Sequence, residues 1–194
     1  MKHYLPLTLA VLLLSACGDS ESDISSRTPK GNPNAAVVIT EYADLQCPAC
    51  SAAHSQITAP LLKKYGNNIA LHHMHFPLRS IHRYALEAAE ASECAADQGK
   101  FWEYVDIAFE NQKSLSLDVL NDWAEELGLD TAVFGKCMKS HAKRDTVLAD
   151  YKKGREAGVA GTPSFYVNGT KVDTGFDSIS AAIDAELARL TQRL

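Results

Sequence analysis

The sequence predicts a mixed α/β fold whose small sheet is interrupted by an all-helical insertion. Three observations predict it. A strand–helix–strand pattern occupies roughly residues 36–76, an unbroken helical pattern follows to about residue 157, and two short strands and a helix close the chain. At 194 residues, with 46% apolar and 22% charged side chains, the chain has enough apolar content for one well-buried domain carrying a subdomain. A formal net charge of −5 argues against a nucleic-acid-binding surface, and no basic run suggests an electrostatic membrane patch. There are no internal repeats.

The elements follow in order. Ala36–Tyr42 (Ala-Val-Val-Ile-Thr-Glu-Tyr) is a β-branched apolar run suited to a buried strand. After a loop over 43–46, Pro48 stands where proline suits the first turn of a helix, which runs to about Tyr65 before Gly66 ends it. Pro60 lies inside that helix and deletes the bond to the carbonyl of Gln56, so a kink is expected there. Ile69–Phe76 is the second strand of a βαβ unit.

From about Ile81 to Ala157 the chain reads as helical throughout. Residues 82–96 are rich in Ala and Glu, and Phe101–Asn111 carries aromatics at helical spacing. Ser116 caps a helix whose Leu120, Trp123, Ala124 and Leu127 share a face before Gly128 stops it. Further helices are expected over 131–139 and 141–156. Strand character returns at Ser164–Val167, and Asn168-Gly169 is a strong hairpin signal leading into Lys171-Val172. Asp177 opens a last helix with Ile179, Ile183, Leu187 and Leu190 on one face.

The N-terminus reads as a targeting segment. A short positive start, Met1-Lys2-His3, precedes the mostly apolar run Leu5–Leu14, too short to span a bilayer comfortably and suited to a signal-peptide core over residues 1–16. Leu14-Ser15-Ala16-Cys17 resembles the lipobox of bacterial lipoproteins, which implies cleavage before Cys17 and its lipidation; ordinary secretory cleavage nearby is the alternative. Residues 17–34, rich in Ser, Asp, Gly and Pro, then form a lipidated N-terminus and flexible tether. This divides the chain into residues 1–16, 17–34, a sheet domain of 35–80 with 158–194, and a helical insertion of 81–157.

Five cysteines are an awkward number for an exported protein, but a lipidated Cys17 leaves an even four. Cys47-Pro48-Ala49-Cys50 stands at the start of a helix, where unpaired N–H groups and partial positive charge stabilise a thiolate. Cys47, on the N-cap side, is the attacking cysteine, and Cys50 resolves the mixed disulfide. A permanent local disulfide and half of a zinc site are the competing readings, but no second Cys/His pair of zinc spacing is present. Cys94 and Cys137 lie outside this motif, on expected helices, and each is the other's remaining partner. A structural disulfide is expected between them, with two buried free thiols as the alternative. His72, His73, His75 and His82 invite a copper or zinc reading, yet no carboxylate or cysteine sits at a spacing that completes it, so neither a metal nor any other cofactor is expected.

The chain resembles the DsbA-like branch of the thioredoxin superfamily from Lys30 to about Phe176. The resemblance rests on Gly31–Ala35, on Glu41–Cys50 across the redox motif, and on Phe76-Pro77-Leu78. Glu93–Trp102 and Gly158–Phe165, with Gly161-Thr162-Pro163, complete it. It implies a thioredoxin-like fold and a periplasmic thiol–disulfide oxidoreductase. Such an enzyme acts on unfolded or reduced secreted proteins and is reoxidised by a membrane partner of the DsbB type. It implies that Pro163 is cis against the redox pair and that Thr162 offers its backbone to an extended substrate segment. It also implies that Glu41 relays a proton for Cys50, a solvated strand-end carboxylate being the alternative. Ala49 departs from the pattern, since the best-known members carry histidine there, and its absence implies a weaker oxidant. His54, one turn beyond Cys50, either compensates in part or is a plain exposed histidine. A reductase or isomerase of the same fold and a metallochaperone using Cys47, Cys50 and His54 are the rival functions. Isomerases gain their activity from a dimerisation domain, for which the short tether leaves no room, so a monomer is expected, held to a membrane by its lipid.

Overall fold

A computed structural model describes Met1 and residues 27–192; the signal peptide, Cys17 and the tether as far as residue 26 lie outside the described residues. Five strands, β1 (Lys30–Gly31), β2 (Val37–Ala43), β3 (Ile69–His75), β4 (Ser164–Val167) and β5 (Thr170–Val172), form one mixed sheet in the order β1-β3-β2-β4-β5. β2 and β3 are parallel, with Glu41 paired to His73, and every other pair is antiparallel. Asn168 and Gly169 both take positive φ in the β4–β5 hairpin, which is what an Asn-Gly turn provides.

β2 reads as a continuous apolar run because both faces of the sheet are covered. On one face Val37, Ile39, Ile69, Leu71, Phe165 and Val167 pack against α1 (Pro48–Ala53), α2 (Ala59–Tyr65) and α8 (Phe176–Thr191). Ile179 and Ile183 of α8 are wholly buried there, each contributing about 1.5–3 kcal/mol. On the other face Tyr42, Phe76 and Tyr166 meet Tyr151 of α7 (Arg144–Glu156), with Phe76 stacked on Tyr151 at 4.5 Å. Gly154 of α7 lets that helix approach closely, since a Cβ there would stand 2.6 Å from the Phe76 ring.

The long helix expected from Pro48 to Tyr65 is divided into three. α1 and α2 flank a π-helical turn, His54–Thr58, in which the Ala59 N–H donates to the His54 carbonyl. Pro60 supplies no N–H for Gln56, and the expected kink is absorbed as this wider turn.

Between β3 and β4 lie α3 (Ala85–Ala96), α4 (Phe101–Glu110), α5 (Leu117–Glu126), α6 (Thr131–Ser140) and α7. The helical pattern begins later than expected, at Ala85, because residues 76–84 are turns. α3 is buried on almost every side, and its alanines let Phe101, Tyr104, Leu120, Trp123 and Phe134 close around it. Ser116 caps α5 by accepting from Val119, Asp130 caps α6 by accepting from Ala132 and Val133, and His141 in left-handed geometry separates α6 from α7. A disulfide joins Cys94 of α3 to Cys137 of α6.

Residues 27–34, read from the sequence as part of a flexible tether, are instead packed on the domain. Lys30 and Gly31 pair with Leu71 and Ala70, and Gly31 is required because a Cβ would meet the Ile69 carbonyl oxygen at 2.3 Å. The Thr28 carbonyl accepts from Trp102, and the Arg27 guanidinium bridges Glu93 and Asp150. Composition missed this because the attraction comes from two buried carboxylates distant in sequence.

Candidate functional site

The redox motif sits where the two parts of the core meet. Leu45, Cys47 and Cys50 belong to the same apolar cluster as Tyr104, Leu120 and Trp123 of the helical insertion, while α1 itself lies on the sheet. Cys47 is the N-cap of α1 with extended backbone, Pro48 follows at the first helical position, and the Cys47 carbonyl accepts from the N–H groups of Cys50 and Ser51. Gln112 clamps the entry to the helix by donating to the carbonyls of Leu45 and Cys47.

Cys47 is 6% exposed and Cys50 wholly enclosed, so the attacking cysteine is less open than its N-cap position suggests. Both thiols are free. The Cys47 thiol lies 3.5 Å from the carbonyl oxygen of Thr162, and the Thr162–Pro163 peptide bond is cis. The Asp44 N–H donates to Cys50 Sγ at 3.5 Å.

The pair is electrostatically asymmetric. A hydrogen bond from the Cys50 thiol, opposed by burial and assisted by backbone N–H groups of Cys50 and Ala49, holds Cys47 down at about 5. Burial, reinforced by that same hydrogen bond, pushes Cys50 far above the usual thiol range. The helix N-terminus invoked from sequence therefore contributes, but the partner cysteine is the leading influence on Cys47.

Glu41 lies on β2 and is 1% exposed, which excludes the solvated strand-end alternative. Thr58 of the π turn donates to its Oε2 at 3.2 Å, and its Oε1 has no hydrogen-bond partner among the described residues. Burial pushes Glu41 up to about 7, against the pull of His54, Thr58 and Lys30. His54 is not a plain exposed histidine: its Nε2 lies 2.8 Å from Asp106 and its ring packs on Phe109.

Of the four histidines considered for metal, His73 and His75 meet edge to face with ring centroids 5.0 Å apart, and His72 is half-buried next to them on β3. His82 pairs with Asp44, His75 with Glu93, and His73 is buried against Phe101 and Trp102. Sequence spacing missed one cluster, the buried His75, Glu93 and Asp150, whose candidate ligand atoms lie within 4.8 Å of one another. The Arg27 guanidinium already bonds both of its carboxylates. Asp44 and Gln112 were also missed. Asp44 accepts from the N–H groups of Gln46 and Leu78 and from His82, and so fixes the loop ahead of Cys47. Neither residue stands in a motif; only the fold gives them partners.

The thioredoxin family profile matches residues 25–185. Among curated proteins, a Na(+)/H(+) antiporter NhaA 3 from Salinispora tropica is 34% identical over 161 residues, which cover 82% of this chain and 24% of that protein. The chain thus spans about a quarter of the length of that relative. Among solved structures, oxidised BdbD from Bacillus subtilis superposes with a TM-score of 0.76 at 21% identity, covering 84% of this chain and 94% of that one. Wolbachia pipientis alpha-DsbA1 gives 0.74 at 22% identity, covering 86% and 93%. The chain belongs to the thioredoxin family, with the fold of the DsbA-like thiol–disulfide oxidoreductases.

Proposed function

We propose that this protein is an exported thiol–disulfide oxidase that introduces disulfides into reduced secreted proteins through Cys47 and Cys50. The observation that carries the reading is the asymmetry of the pair. A substrate thiolate attacks the Cys47 sulfur of the enzyme disulfide, Cys50 leaves, and a second substrate thiolate then displaces Cys47 as a stable thiolate. Thr162, whose carbonyl faces the Cys47 thiol, presents backbone to an extended substrate segment. A shallow groove of about 210 Å³ lined by Ala49, Ala52, Ile57, Pro163 and Thr174 offers apolar surface for its side chains. A membrane protein of the DsbB type takes the electrons away.

The direction follows from the thiolate. Compared with thioredoxin, whose attacking cysteine titrates near 7, a value of about 5 keeps more of Cys47 as thiolate at pH 7 and so favours the reduced form. The Cys47–Cys50 potential is expected to be more oxidising than thioredoxin at about −270 mV and less so than DsbA at about −120 mV. Equilibration against glutathione measures it. Ala49→His should make it more oxidising still, by adding a cation beside the Cys47 thiolate. A potential at or below that of thioredoxin would make the protein a reductase.

Cys17 anchors the mature chain, through its lipid, to a membrane facing the periplasm. The support is the Leu14–Cys17 pattern. Cys17→Ser should move the protein from the membrane to the soluble fraction of fractionated cells. An unchanged distribution, with no acyl mass on the native N-terminus, would remove the anchor from the reading.

A further inference from the structure

Two cavities, of about 520 and 500 Å³, lie side by side between the redox helix and the C-terminal end of α4. Ser51, Ser55, Phe109 and Glu110 line both, so the two form one groove. One end reaches the redox motif. It is lined by Pro48, next to Cys47, and by Gln112, which donates to the Cys47 carbonyl at 3.0 Å. The other end is lined by His54, Thr58, Ala59 and Leu62. The π turn divides its residues between this groove and the one beside Pro163: His54, Ser55 and Thr58 line the first, Gln56 and Ile57 the second. The redox helix thus carries a groove on either flank, and a substrate segment held at Thr162 and Pro163 occupies only one of them.

The chemistry of the lining changes along the groove. At the end away from Cys47 the His54 ring lies on Phe109 with centroids 5.0 Å apart, and the charges are committed to one another. Lys30 Nζ stands 3.1 and 3.2 Å from the two carboxylate oxygens of Asp106, and His54 Nε2 stands 2.8 Å from the same group. Charges paired in this way hold a small ion poorly. The Phe109 ring and the Ala59 and Leu62 side chains instead gain by taking an apolar group out of water. Toward Cys47 the lining turns to Asn111, Gln112 and Ser114, whose amide and hydroxyl groups suit a peptide backbone.

We propose that this groove takes an aromatic side chain of the unfolded substrate polypeptide whose cysteine is joined to Cys47, and so selects unfolded over folded proteins. The inference rests on the exchange with reduced secreted proteins assigned above to Cys47 and Cys50, and names a second determinant of what that pair accepts. A folded protein keeps most of its large aromatic side chains inside, whereas an unfolded one displays them close to its free cysteines. The polar stretch beside Gln112 carries the substrate backbone away from Cys47, and the aromatic end receives the side chain. Because the groove reads a side chain and not the thiol, it acts on substrate binding and leaves the sulfur chemistry to the two cysteines.

The test follows reduction of the oxidised full chain by unstructured two-cysteine peptides, which leave as intramolecular disulfides while Cys47 and Cys50 become thiols. A single Phe or Ser is placed at successive positions on either side of the cysteines, and glutathione, which has no aromatic side chain, sets the reference rate for each variant. At one or two placements Phe should lower KM about 3–10-fold relative to Ser, with kcat little changed. Ser55→Trp fills the groove where its two halves join, at an exposed position, and should bring that ratio to about one. Gln56→Trp puts the same bulk on the other flank of the helix and should keep the ratio. Equal KM for Phe and Ser at every placement would overturn the proposal. A preference that survives Ser55→Trp, or one that Gln56→Trp also removes, would do the same. The oxidase direction is read separately, from the potential, so its failure and that of the groove are distinguishable.

Discussion

Cys47→Ser should abolish disulfide exchange, whereas Cys50→Ser should leave a chain that captures substrates and cannot release them. With Cys50 gone, a mixed disulfide on Cys47 has no internal thiol to resolve it, so non-reducing gels of cells expressing Cys50→Ser should show substrate-sized adducts that collapse on reduction. The pH dependence of the native protein follows from the same asymmetry. A Cys47 thiol at about 5 is roughly 99% thiolate at pH 7, so alkylation of the reduced protein should be near its plateau there and fall through an inflection near 5. Because the folded value lies below the ordinary thiol value of 9.0, Cys47 stabilises the folded reduced state most above pH 9; the gain shrinks as the pH falls and is gone below about 5. Cys50 acts in the opposite sense, since its enclosed thiol resists ionisation and opposes folding at high pH. An inflection near 9, or equal adducts from the two serine variants, would make the cysteines interchangeable and remove the basis for naming Cys47 as nucleophile.

The elements carried by local pattern were legible in the sequence: the buried β2 run, the Asn-Gly hairpin, the Ser116 cap and the apolar stripe of α8 each need only residues within one or two turns. What was not legible depends on groups brought together from afar. Arg27 reads as linker until Glu93 and Asp150 are folded beneath it. His54 reads as a surface histidine until α4 presents Asp106 and Phe109. Asp44 has no motif at all, yet it holds three partners around the loop before Cys47. Pro60 was legible as a defect, but its consequence was not: whether a missing N–H gives a bend or a π turn depends on what the shifted side chains gain, and Thr58 gains Glu41.

Replacing both Cys94 and Cys137 with alanine should lower folding stability by about 4 kcal/mol, the chain-entropy value for a bridge closing 43 residues. The bridge ties the two ends of a segment that includes α4 and α5, so the unfolded insertion loses much of its freedom when it is intact. Cys94 lies inside the cluster that also holds Cys47 and Cys50, so its change to Ala removes a sulfur from a closely packed environment, while the half-buried Cys137 packs against the edge of that cluster. Entropy and packing therefore act in the same direction. Urea unfolding of the double variant should show a lower midpoint and a steeper slope, because the unfolded chain without the bridge is less compact and exposes more surface. The single variants Cys94→Ala and Cys137→Ala should each lose the loop-closure part in full, because breaking the bridge from either side releases the same loop, and fall short of the double variant only by the packing of the remaining sulfur. A loss below about 1 kcal/mol, or separate Cys94 and Cys137 peptides in a digest of unreduced protein, would show two buried thiols in place of a bridge. The insertion would then rest on Phe101, Tyr104, Trp123 and Phe134 packed around α3.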